Sequence, residues 1–105
     1  MAIQLNVGLT TKDGGTVDAG SRILFDVNFQ KGVYKYNVNL ELWRTQQAYI
    51  DGLQSIRGIQ EIPQLYFEKE LSFAEYSGLT PIVIHNHVKA YLETYVGEGN
   101  TSIVI

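Results

Sequence analysis

The chain's two histidines sit one residue apart, in the run Pro81-Ile82-Val83-Ile84-His85-Asn86-His87-Val88-Lys89. Imidazole ligates metals and carries protons near neutral pH, so this pair is the first place to look for chemistry. On a helix, two ligands for one ion need a spacing of three or four, as in HExxH, because residues two apart point about 200° apart around the axis. On a strand the same two residues would share a face. The element that carries them therefore decides what they can do. Thr80-Pro81 reads as an N-cap followed by a first-turn proline. Apolar residues recur at Ile84, Val88, Tyr91, Leu92 and Tyr95, and Gly97 supplies a stop. The segment 81–96 is thus expected to be an amphipathic helix, with His85 partly buried at the border of the apolar stripe and His87 solvated on its other flank. No metal site is expected.

The other chemistry-bearing patterns are no more productive. HNH nucleases share only three letters with His85-Asn86-His87: they spread their residues over a ββα element and work in a basic groove, which an acidic chain lacks. The carboxylates fall at turns, caps and polar strand positions. Asp26 is the one worth naming, because it lies mid-strand between Phe25 and Val27, yet the alternation there points it outward. Asp13-Gly14-Gly15 and Gly97-Glu98-Gly99-Asn100 lack phosphate-loop spacing, and no GxSxG occurs. Catalytic, cofactor-binding and metal-ligating residues are all expected to be absent, and the chain is not expected to be an enzyme.

The elements that would position any site read as follows. Residues 2–9 alternate with Ile3, Leu5, Val7 and Leu9 on one face, a half-buried strand. Residues 10–21, rich in Gly, Thr and Asp, form a long loop or protruding hairpin. Residues 22–30 alternate with Ile23, Phe25, Val27 and Phe29 inward, and Lys31-Gly32 turns the chain. Residues 33–43 then place Tyr34, Tyr36, Val38, Leu40 and Leu42 on one face and Lys35, Asn37, Asn39, Glu41 and Trp43 on the other. The two runs predict a β-hairpin. A shorter strand is expected over 45–50, ended by Asp51-Gly52, then a short or bulged edge strand over 53–62 and another strand over 64–70. Ser72-Phe73-Ala74-Glu75 matches a capping box opening a short helical turn that Gly78 ends. After the helix, 101–105 is a final short apolar strand. The fold class is α+β: one domain, residues 1–105, with a mainly antiparallel sheet or β-sandwich, one C-terminal amphipathic helix and a last strand.

Composition narrows the function classes. The net charge is −3 and the basic residues are scattered, which disfavours nucleic-acid and anionic-membrane binding. There is no cysteine, excluding disulfides and thiolate chemistry. No secretory signal is evident, and no apolar run reaches the roughly 20 residues a membrane span needs. Only 18% of residues are charged, beside six Asn, seven Gln and seven Tyr. Such a surface is cheaper to desolvate than one of Lys and Glu, and charge depletion with aromatic enrichment marks interface cores. Lys35, Asn37, Asn39 and Trp43, on the polar face of the longest strand, are the candidate partner contacts. The lone tryptophan is also the residue type most enriched in binding hot spots. The 10–21 loop is a second candidate.

The alternating opening Ala2-Ile3-Gln4-Leu5-Asn6-Val7, the Gly/Thr loop and the helix-then-strand ending through Tyr95-Val96-Gly97-Glu98-Gly99-Asn100 resemble, in style, small virion proteins of tailed bacteriophages of the auxiliary capsid or head–tail type. That resemblance implies a non-enzymatic, multicopy structural protein without cofactors. Such a protein would be assembled in the host cytoplasm into a virion and would contact itself or other structural proteins. It transfers no site residues. The alternative is an intracellular peptide- or protein-binding regulatory module using an exposed sheet edge.

Overall fold

The computed structural model describes residues 2–104. Seven strands and three helices follow in the order β1 (Ala2–Leu5), β2 (Leu9–Thr10), β3 (Thr16–Val17), β4 (Arg22–Phe29), β5 (Lys35–Leu42), α1 (Gln46–Ile50), β6 (Tyr66–Glu70), α2 (Phe73–Ser77), α3 (Pro81–Val96) and β7 (Thr101–Val104). The architecture is α+β and β-rich. One open five-stranded sheet has the order β6-β5-β4-β1-β7, every neighbouring pair antiparallel, and β2-β3 form a separate small hairpin.

The β4–β5 hairpin organises the sheet. Its register pairs Ile23 with Leu42, Phe25 with Leu40, Val27 with Val38 and Phe29 with Tyr36, so both alternating apolar rows land on one face. Gly32, at φ 79°, takes the left-handed conformation that lets the chain reverse. α3 lies across that face and fully buries Val88 and Leu92, and the same core takes in Leu9, Val17, Ile59 and Ile62 from the β2–β3 hairpin and the 53–62 segment. Thr80 Oγ1 accepts from the Val83 amide and Pro81 opens the helix, as its sequence anticipates. The Ser72/Glu75 capping box closes reciprocally at α2.

Three expectations need correction. The opening strand stops at Leu5: the Asn6 amide turns to the Asn100 carbonyl, and Leu9 resumes pairing in the β2–β3 hairpin. Val7 and Leu9 keep the inward alternation across a bend, without a continuous ladder. Residues 46–50 are helix α1, not strand, because Thr45 caps them by accepting from the Ala48 amide, and Gln and Ala favour helix over strand. The 53–62 segment contributes two isolated bridges, Ile56 to Leu42 and Ile59 to Thr11, in place of a strand. Of the expected last strand, Ile105 lies outside the described residues.

Candidate assembly surfaces

The histidines are held apart by different bonds. His85 Nδ1 donates to the Pro81 carbonyl at 2.7 Å, and its ring meets Phe25 edge-on at 4.8 Å between centroids. His87 is not solvated as expected. It stacks on the fully buried Tyr36, whose hydroxyl shares a hydrogen bond with its Nδ1 at 2.5 Å. Burial lowers the His87 pKa from its ordinary value, with Lys69 adding to the effect and Glu75 opposing it, and burial pushes Tyr36 up to about 12. The Nδ1 of each histidine is therefore already engaged inside the chain. Among the described residues no group of three His, Cys, Asp or Glu could hold a metal ion. No helix among the described residues is long and apolar enough to cross a membrane.

The four residues singled out as contacts divide. Lys35, Asn37 and Asn39 lie together on the sheet face opposite α3, beside Glu68 and Tyr66 of β6. Lys35 pairs with Glu68 at 3.1 Å, and Tyr66 donates to the same carboxylate at 2.9 Å. These hydrogen bonds hold the Glu68 carboxyl below its ordinary range. Asn37, flanked by Asn28 and Glu68, leaves its buried Oδ1 without a partner among the described residues. Trp43 is elsewhere: beyond the end of β5, its indole packs on Tyr49 and donates to the Leu53 carbonyl at 2.7 Å. It covers the α1 region from within the chain.

Two surfaces escaped the sequence pattern. Phe29 and Tyr34 were expected inward, yet they are 51% and 49% exposed. Among the described residues β4 has only β5 beside it past Leu24, and over that end the short α2 covers the apolar face. There Phe29 meets Tyr76 edge-on, Tyr34 contacts Tyr76 and Phe73, and Phe73 itself is 65% exposed. A shallow cleft of about 350 Å³ runs between Phe29, Tyr34 and Tyr76. Contiguous exposed aromatics of this kind mark interaction sites more often than scattered ones. Phe73 behind its Ser72 cap was the legible signal, since a one-turn helix has too little surface to bury every apolar side chain it carries.

The second surface is the edge strand β7. The Asn6 amide bonds to the Asn100 carbonyl, so the alternate pairs Gln4–Ser102 and Ala2–Val104 exchange the β1–β7 bonds. The backbone N–H and C=O groups of Thr101 and Ile103 consequently point away from β1, but Thr101 is only 2% exposed, so the edge is covered there. Over α3's flank on this side, Glu93 accepts from Lys89 at 3.0 Å, from the Gly99 amide at 2.9 Å and from Thr101 Oγ1 at 3.2 Å. Desolvation raises the Glu93 pKa, but these donors outweigh it and hold the carboxyl below its ordinary range. Comparison with protein-family models, curated proteins and solved structures returns no match for this chain.

Proposed function

We infer that the chain is a non-enzymatic structural subunit that works in many copies through protein–protein contacts, in the manner of auxiliary capsid or head–tail proteins of tailed bacteriophages. The observation that carries this reading is the grouping of large exposed aromatics, Phe29, Tyr34 and Phe73, at the hairpin end of the sheet. Solvated in a monomer, they gain roughly 25 cal/mol for each Å² of apolar surface a neighbour covers. The amide-rich open face around Asn28, Asn37 and Asn39 adds a surface that loses little on desolvation. On this reading the protein resides in the assembled particle, and neither a cofactor nor nucleic-acid sequence recognition enters its work.

Mass photometry and sedimentation over rising concentration test the reading, with recovery of binding proteins from the chain's native context. Self-association, or stoichiometric capture of another structural protein, is expected. A monomer at every concentration that captures nothing would contradict it.

A further inference from the structure

We propose that the cleft between the β2–β3 turn, Arg44 and the 54–58 segment binds an acidic peptide segment of a partner protein. The choice of a protein occupant rests on the assembly reading above. The cleft itself is a separate place, at the opposite end of β5 from the aromatic cluster. It holds about 390 Å³ and is lined by Lys12, Arg44 and Arg57, with one carboxylate, Asp13, among them. The eight basic residues are scattered along a chain of net charge −3, yet the fold brings three of them to one hollow. Lys12 and Arg57 enter none of the ion pairs found among the described residues. Like charges gathered without a counter-ion repel, and an anion lodged between them relieves that repulsion.

The cations are held in place by the backbone around them. The Asp18 amide and the Ser21 hydroxyl both donate to the Arg44 carbonyl, at 2.8 and 3.3 Å, and the Lys12 amide donates to the Gly58 carbonyl at 3.1 Å. Two glycines then leave space for the side chains. A Cβ on Gly15 would stand 1.8 Å from Nη1 of Arg44, and one on Gly58 would stand 2.7 Å from Cδ of Lys12. Neither glycine has a positive φ, so the backbone does not demand glycine at these positions; the cations lying over them do.

Asp13 fixes the site more than it cancels it. Its carboxylate accepts from the Thr11 hydroxyl and the Gly15 amide within its own turn, and from Nη2 of Arg44 at 3.1 Å. The other two cations outnumber it. The size of the cleft favours a peptide over a lone ion, since it is many times the ~30 Å³ that a water occupies. The cations also come from three separate segments, an arrangement suited to several carboxylates along an extended chain, and arginine takes carboxylates in a planar fork. Ile56 adds an apolar wall for the stems of such side chains.

The test titrates the full chain with a short poly-glutamate peptide, followed by amide chemical shifts. Shifts centred on Lys12, Arg44 and Arg57 are expected, with an affinity that falls as salt rises. Arg57→Gln, which breaks no ion pair of the chain, should weaken binding about fivefold. Gly15→Ala changes no charge, but its methyl displaces the Arg44 guanidinium, and a comparable loss is expected. Circular dichroism is expected to show wild-type melting for both variants. Wild-type affinity in both would mean that the peptide responds to diffuse charge alone, which overturns the site. Inorganic phosphate held more tightly than the peptide at the same residues overturns the peptide as occupant. No shift there with either probe overturns the cleft and leaves the assembly reading standing, because that reading rests on Phe29, Tyr34 and Phe73.

Discussion

The two outer strands of the sheet, β6 and β7, face the same physical hazard and meet it in opposite ways. Each leaves a row of backbone donors and acceptors unpaired on one side, a template for any extended chain. β6 blunts its row: Glu68 and Glu70 stand on the open face, Lys69 points inward at the margin, and Lys35 of β5 ties Glu68 back into the sheet. β7 carries no such residues. Its side chains are Thr, Ser, Ile and Val, and the charges nearest it, Lys89 and Glu93, are already paired on α3. β6 is thus defended by three consecutive charged residues, whereas β7 is covered at Thr101, which is 2% exposed and bonded to Glu93 of α3.

Both edges depend on α3, so the largest effect comes from Val88→Asp. Val88, on the inner face of α3, is fully buried, and an unpaired carboxylate there costs more than about 3 kcal/mol. Loss of the cooperative thermal transition, and of association with it, is the expected outcome by circular dichroism.

A sharper probe leaves the fold intact. Replacing Glu68, Lys69 and Glu70 together with threonine strips the protection from β6 and should open that edge to strand pairing. Light scattering is expected to show species larger than wild type, because copies can then pair through β6. A triple variant no larger than wild type would mean that charge is not what guards β6.

Acidification separates the two flanks of α3. On the β5–β6 side His87 is neutral because burial lowers its pKa below the ordinary 6.5. The unfolded chain therefore takes up the proton first, and this stabilisation is present above about pH 6.5 and lost as pH falls through the lowered native value. On the β7 side the Glu93 carboxyl is depressed below 4.5, so its contribution holds until pH drops under that value. Denaturant melts between pH 7 and 5 should lose stability, and Tyr36→Phe, which removes the hydroxyl bonded to His87, should lower stability at pH 7 by about 1 kcal/mol.

Local signals in the sequence carried most of the architecture. The alternation through residues 22–42, the Ser72/Glu75 capping box and the Thr80-Pro81 start of α3 are contacts within a few residues, and each appears in the structure. The 46–50 helix was misread because five residues are too few for either period to declare itself, and the Thr45 cap was the informative signal. The candidate site was far less legible. Trp43 turned out to cover Tyr49, a decision made by where α1 docks. The stacking of His87 on Tyr36 joins residues 51 apart. That β7 is outermost and uncharged while β6 is outermost and charged follows from strand order, which periodicity does not encode.

The central claim, that copies of the chain meet through the exposed aromatics at the hairpin end of the sheet, is tested most directly by amide hydrogen exchange followed residue by residue as the protein concentration rises. The amides around Phe29, Tyr34 and Phe73 should slow as copies associate, while those of Tyr66, Glu68 and Glu70 keep exchanging at the same rate. If the amides around Phe29, Tyr34 and Phe73 exchange equally fast at every concentration, the aromatic cluster is not a contact surface and the account is contradicted.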